Sequence, residues 1–597
     1  MTDTAHPSTP QFLPFTADMP NGADRTLPRL VRDTLPLALD VAVEVAKLNG
    51  VCIRPIELRR FDTHTGRTEP FDIPCGTTNE AKCPPCAKRN KQLRKAQCRE
   101  GWHLETEPVS EPHPATDDQK WLIEFRADVQ AKRDAAERDG QDVADWDEAI
   151  AGINAEINAA GMRGNVTGGR TASRRSRSTR RRQDAPDLPK RARQNTTLGR
   201  TFIAPDGQVF RPSLFVTLTL PSYGKIRPGQ GVPVDPASYD YATAARDALH
   251  FSKLVDRFVQ NLRRVAGYDV QYFATVEPQK RFAPHLHMAI RGTLPRAEIK
   301  AIAAATYHQV WWPQVNEVRF ESNHLPVWGE RDEQGEPYPD GQAGDYLDPA
   351  TGELLPTWEQ ALDRLDTDDE AEPLHMVRFG AQVDVQGLLA GSPDAHKRIG
   401  YLTKYLTKSL GDTLDLDPDE NDQEGEEAAG PARAAIHQAR RDHAARLVEA
   451  LRYEPCSPAC ANWLRYGVQP KNAKAGMTPG RCRSKAHKAN HLGYAGRRVL
   501  VSRKWSGKTL RDHKQDCRAW VLDMLGLPDD DTATDPHRYI WRPVSTKDPT
   551  RTPLPVRLLR GVANRQRTRA RLDELRARAD GRPLTDLSAT TALREAA

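Results

Sequence analysis

The chain has 597 residues, 38% of them hydrophobic and 28% charged, with 46 prolines, 39 glycines and a formal net charge of +6. That length is too great for one core and predicts roughly three or four domains, while no apolar run approaches the roughly 20 residues that a bilayer span needs. The polar, proline-rich start from Met1 to Arg29 shows neither the basic nor the apolar region of a signal peptide, so a cytoplasmic location is expected.

Residues 1–30 read as a disordered tail. Residues 31–104 read as a module with an apolar helix pattern (Leu37 to Leu48) and a strand-like run from Cys52 to Leu58. A first cysteine group follows, Cys75, Cys83, Cys86 and Cys98, with His103 as a spare ligand. Seven of the nine cysteines fall into two groups, and in a reducing compartment grouped cysteines mean metal more often than disulfides. Cys52 and Cys517 read as ordinary core thiols. Residues 105–200 hold two helix patterns, Asp117 to Arg138 and Ala144 to Ala160, then a linker with twelve Arg/Lys against two acids between Arg163 and Arg200.

From residue 201 the pattern becomes that of an α+β domain, 201–411. Leu214 to Leu220 alternates as a strand, and Ala242 to Val265 has the period of an amphipathic helix. Val270 to Glu277 and Leu286 to Ile290 read as strands, Arg296 to Trp312 as a helix, Val377 to Gln386 as a further strand and Asp394 to Leu410 as a helix. A Pro/Gly/Asp-rich stretch at about 324–374 reads as an insertion. The linker 412–430 is acidic, with nine acids and no base between Asp412 and Glu427. Residues 431–545 read as a DNA-contact domain with a helix (Ala432 to Arg452), a strand (Arg498 to Val501) and a helix (Asp512 to Leu525). They hold the second cysteine group, Cys456, Cys460, Cys482 and His487, with His491 as an alternative. The tail, 546–597, is arginine-rich, and it and the 163–200 linker are candidate phosphate contacts. Both cysteine groups have spacings that suit structural Zn²⁺, and lysines and arginines crowd each of them, as in modules that contact nucleic acid.

Two stretches about a hundred residues apart suggest chemistry. In a strand, His285 and His287 share one face while Leu286, Met288 and Ile290 point into a core. In a helix, Tyr401, Lys404, Tyr405 and Lys408 share a face, and Ile399, Leu402, Leu406 and Leu410 would pack inward. Two imidazoles two residues apart on a strand can converge on Mg²⁺ or Mn²⁺ acting on a phosphate. Glu277 is the proposed carboxylate ligand, brought to His285 if the two strands pair as a hairpin through Pro278 to Pro284. A tyrosine can attack a phosphodiester and store its energy as a phosphotyrosine, with a lysine ammonium stabilising the developing charge.

The order of these motifs resembles the HUH superfamily of endonucleases. Phe215-Val216-Thr217-Leu218-Thr219 stands as the first motif, Pro284-His285-Leu286-His287 as the second and the Tyr-x-x-Lys repeat as the third. The chain resembles more closely the rolling-circle replication initiators of actinobacterial plasmids and integrative conjugative elements, including Cys98 to His103, Leu249 to Gly267 and Trp505 to Lys508. The resemblance implies a central antiparallel sheet flanked by helices. The N- and C-terminal zinc modules and the disordered basic and acidic linkers are expected from the residues themselves, and the N- and C-terminal thirds and the loop at 324–374 have no counterpart in minimal HUH domains. It implies nicking of one strand at the double-strand origin, a 5′-phosphotyrosine, and a free 3′-OH for the host polymerase. The doubled tyrosine resembles the two-tyrosine subgroup, in which either residue could nick first. Origin DNA, duplex and locally single-stranded, is the expected partner. No P-loop motif is present, so the helicase is expected from the host. The competing reading is a non-catalytic, zinc-containing DNA-binding regulator. A conjugative relaxase shares the chemistry but usually carries its tyrosine ahead of the histidines.

Overall fold

Alternating apolar and β-branched residues make β1 (Pro212–Thr219) in the computed structural model of the protein. The structure describes residues 37–108, 114–162, 187–199, 201–203, 205, 209–329, 344–389, 392–404, 431–494, 498–524 and 538–579. The expected disordered tail and acidic linker, and most of the basic linker, lie outside these residues. The described residues form a mixed helix-and-sheet structure with antiparallel sheets, and none of their helices is long and apolar enough to cross a membrane.

The chain divides into two compact units, one of residues 95–511 and one of residues 1–94 with 512–597. In the larger, β1 is followed by α1 (Tyr241–Ala266), β2 (Tyr272–Pro278), β3 (Pro284–Arg291) and α2 (Arg296–Ala305). Then come β4 (Tyr307–Val310), β5 (His375–Arg378), β6 (Val383–Leu389), α3 (Pro393–Lys404), α4 (Pro431–Tyr453) and β7 (Val499–Val501). Five strands form one antiparallel sheet in the order β6-β1-β3-β2-β7. The helix expected from Arg296 to Trp312 stops at Ala305, with β-branched Thr306 as its C-cap, and Tyr307 to Val310 pair with β5 instead. The single strand expected from Val377 to Gln386 is two strands, broken at Phe379-Gly380-Ala381-Gln382 and belonging to different sheets.

Period two sorts each strand's side chains onto opposite faces. Leu214, Val216 and Leu218 of β1 and Leu286, Met288 and Ile290 of β3 meet Phe251, Leu254, Phe258 and Leu262 of α1 in the main core. On the opposite face Phe215, Phe273 and Ala289 pack with Ile399 and Leu402 of α3, with Cys98 and Trp102 and with Trp505. Buried Arg291 locks this second layer by donating to the carbonyls of Gly101 at 3.0 Å, Trp505 at 2.8 Å and Lys504 at 2.8 Å. Further along the same face the residues turn polar: Thr217, Thr275 and His287, then Thr219, Glu277 and His285. The sheet thus presents its polar end beside α3.

In the smaller unit Ile56–Asp62 is the middle strand of a three-stranded antiparallel sheet, with Thr68–Ile73 on one side and Tyr539–Pro543 on the other. The arginine-rich tail contributes a helix, Leu554–Ala579, whose Leu558 and Val562 pack on Ala46 of the helix Ala38–Leu48.

Candidate active site

The β2–β3 hairpin sets the geometry. Its register pairs Glu277 with His285, Thr275 with His287 and Pro278 with Pro284. Phe282, in the turn, has φ 64°, a left-handed conformation held by its full burial. β1 lies on the other side of β3 and sets Thr217 opposite His287, with Thr217 Oγ1 3.1 Å from His287 Nδ1. The His285 and His287 rings sit edge to face with centroids 4.3 Å apart. Glu277 Oε2 is 3.9 Å from His287 Nε2, and its other oxygen is buried with no hydrogen-bond partner.

α3 closes the site from above. Ile399 and Leu402 are buried against the sheet, which leaves Tyr401 on the flank nearest the histidines. The Tyr401 hydroxyl lies 3.1 Å from His287 Nε2, and the two rings meet at 90°. Tyr401 keeps 36% of its surface exposed, so water and substrate can reach it. Arg398, three residues before Tyr401, stacks 5.0 Å over Phe215 and donates to Gln386.

The electrostatics follow from burial. Burial pushes the Glu277 carboxyl up to about 7, opposed by the charges of Arg498 and Lys404. It pulls His285 down to about 4, with help from Arg281, and His287 to about 3, with help from His285 and Arg398. Both imidazoles are therefore neutral at pH 7 and can offer lone pairs. A buried, unpartnered carboxylate oxygen beside two neutral imidazoles is a donor set that fits a divalent cation. The three are more loosely gathered than the two cysteine clusters, which are the groups of described residues whose donor atoms all lie within 4.8 Å.

Of the residues expected to act, His285, His287, Glu277, Tyr401 and Lys404 share this end of the sheet; Tyr405 and Lys408 lie outside the described residues. Sequence reasoning left two contributors unassigned. Thr217 sits in the Thr-Leu-Thr run, whose inward alternation could have marked it as facing His287. Arg498 precedes β7 and reaches Glu277 only through the fold, so no local signal announced it.

The second cysteine cluster unites Cys456, Cys460, Cys482 and His487, the set that the spacing selected. His487 Nδ1 hydrogen-bonds the Leu451 carbonyl at 2.7 Å, which turns Nε2 toward Cys460 Sγ, 3.6 Å away. The first cluster differs from expectation: Cys52, Cys75, Cys83 and Cys86 converge, and Cys98 does not. Cys86 and Cys98 share the helix Pro84–Trp102, where twelve residues at about 1.5 Å each separate them by about 18 Å. Cys98 is fully buried among Trp102, Trp505 and Phe215. Cys52, expected as a core thiol, takes its place, and Cys517 is exposed rather than buried. Both clusters could bind Zn²⁺.

Comparison with known proteins adds the family. The family described as "RepSA: Replication initiator protein, pSAM2" matches residues 38–564, most of the chain and both cysteine clusters. The chain belongs to the RepSA family of replication initiators. It is also 33% identical to a "Replication initiator protein" of Streptomyces ambofaciens over a segment that covers 13% of this chain and 24% of that protein. The chain thus matches about a quarter of that relative's length. No solved structure matches.

Proposed function

We propose that this RepSA-family chain initiates rolling-circle replication by nicking one strand at its origin, with the polar end of the β1–β3–β2 sheet as the active site. The single observation that carries this reading is the Tyr401 hydroxyl held 3.1 Å from His287 Nε2, beside His285 and the Glu277 carboxylate, one oxygen of which is buried without a hydrogen-bond partner. The fold family that the motifs resemble supports it, as does the replication-initiator family to which the chain belongs.

His285, His287 and Glu277 would hold Mg²⁺ or Mn²⁺, which supplies Lewis-acid polarisation of the scissile phosphate. Tyr401 is the nucleophile: its oxygen forms a bond to phosphorus as the bond from phosphorus to the 3′-oxygen breaks. The phenolic proton passes to water at the exposed side of the ring, and the departing 3′-oxygen takes a proton from solvent. The products are a 5′-phosphotyrosine and a free 3′-OH. Neutral His287 keeps the phenol aimed at the sheet before substrate arrives, and Thr217 fixes the orientation of that ring. Lys404, one turn from Tyr401, adds positive charge where the phosphate would sit. Tyr405 would serve as acceptor in a second transfer, with Lys408 beside it. The products would then pass to a host polymerase and helicase. The zinc clusters would hold the modules that grip origin DNA.

The test is a supercoiled plasmid carrying the cognate origin, incubated with the protein and Mg²⁺ or Mn²⁺. The expected product is an open circle with protein on the 5′ end and Tyr401 in the phosphopeptide found by mass spectrometry. Double Tyr401→Phe/Tyr405→Phe protein that still nicks would overturn the assignment. Unchanged topology under all divalent ions, with tight origin binding, would favour a non-catalytic regulator.

A further inference from the structure

The helix Leu554–Ala579 has two halves of opposite character. Its first half is anchored: Leu558 and Val562 are buried against Ala46, and Arg557, 2% exposed, donates to Asp72 Oδ1 at 2.6 Å and the Pro55 carbonyl at 2.8 Å. A Cβ on Gly561 would lie 2.7 Å from Val51 Cγ1, so the helix approaches its neighbour closely there. Beyond Ala563 the helix leaves that core. Eight consecutive residues, Asn564 to Arg571, are all exposed, although a helix packed along one side would bury some of them.

Four of those eight are arginines, Arg565, Arg567, Arg569 and Arg571, and none is acidic. None of the four makes an ion pair among the described residues. At 3.6 residues per turn, Arg565 and Arg569 line one flank, and Arg567 and Arg571 line the flank nearly opposite. Arg576 and Arg578 continue the same two stripes three turns on. Between the stripes lie Gln566 and Ala570. The like-charged pairs at i and i+4 repel and cost the isolated helix about 0.2–0.5 kcal/mol each. A polyanion converts that cost into binding.

We propose that Asn564–Arg571 is a duplex-DNA recognition element that lies in the major groove. A helix about 10–12 Å across with its side chains matches a groove about 12 Å wide. Phosphates line both walls of that groove, and the two arginine stripes face both walls at once. A flat anionic surface would be met by one stripe alone. Gln566, on the arc between the stripes, faces base edges, and Ala570 permits close approach. This helix belongs to the unit that does not contain Tyr401, and its binding does not depend on strand cleavage.

The experiment titrates a fluorescent 30-base-pair mixed-sequence duplex with full-length protein in magnesium-free buffer over a range of NaCl. The variant combines Arg565→Gln, Arg567→Gln, Arg569→Gln and Arg571→Gln; glutamine keeps the helix propensity. Each lost phosphate contact removes about 0.9 from the slope of log K against log salt, so the slope should fall by about 3.6. Affinity at 0.1 M NaCl should fall at least about tenfold, and the corresponding four lysine substitutions should restore most of the slope. A fall of less than about 2 in the slope, or a loss confined to the single-stranded form of the same oligonucleotide, overturns the proposal. Thermal melts check that the variant is folded. If it is not, variants of one stripe each, Arg565→Gln/Arg569→Gln and Arg567→Gln/Arg571→Gln, should each lower the slope by about 1.8, and an unchanged slope in both overturns it.

Discussion

Exchanging a single thiol for a hydroxyl separates the two cysteines on which sequence and structure disagree. In the structure Cys52 sits with Cys75, Cys83 and Cys86, whereas Cys98 lies about 18 Å along the helix from Cys86. A structural zinc contributes about 10–16 kcal/mol of apparent binding at pH 7, so each of four ligands would hold about 2.5–4 kcal/mol of it. Cys52→Ser should therefore weaken one zinc by about two to three orders of magnitude and leave the other untouched. Cys98→Ser should leave both zinc ions in place. Its hydroxyl, buried among aromatic rings, should cost about 1–3 kcal/mol of stability instead. Zinc release against a graded series of chelators reads both variants, with a thermal melt of each. The reasoning is refuted if Cys98→Ser loses a zinc while Cys52→Ser keeps two at wild-type affinity.

Three further outcomes follow from particular contacts. An alanine at Gly101 would place its Cβ 2.2 Å from the fully buried Trp505 ring, so Gly101→Ala should destabilise the protein by about 1–3 kcal/mol or more, read as a lowered melting temperature. Burial, helped by His308 and His375, holds His250 down to about 3. The unfolded chain binds a proton there below about pH 6.5, and the folded chain resists doing so. The stability is thus present at pH 7 and lost as pH falls, by about 2 kcal/mol at pH 5 for this residue. Urea melts at pH 7 and pH 5 should show His250→Phe losing less stability than wild type by about that amount; an equal loss would contradict it. Thr217→Val removes the hydroxyl beside His287 Nδ1 and should slow nicking about 10–100-fold with the melting temperature nearly unchanged, measured on supercoiled origin plasmid.

Periodicity made the larger elements legible. The helix from Tyr241 to Ala266 and the strands around His285 and Thr217 lie within a few residues of where apolar spacing puts them, because each buries a continuous stripe. The hairpin through Pro278 to Pro284 was only one possibility in the sequence, and it is the structure that sets Glu277 opposite His285. The segment from Thr306 to Val310 was not legible. Its apolar residues fit a continued helix as well as a strand, and only β5, some sixty-five residues later, offers the hydrogen bonds that decide.

By itself, the sequence determined which residue types were available: two histidines on one face of a strand, a tyrosine and a lysine one turn apart, and two sets of thiols. It also determined the charge of the arginine helix. Tertiary structure alone decided which of these meet. It chose Cys52 over Cys98, brought Thr217 and Arg498 to the histidines and the glutamate, and left Asn564–Arg571 exposed. The reason is that local period fixes only the face on which a side chain lies. Convergence within a few ångströms depends on how distant segments return, and on a helix twelve residues already make about 18 Å.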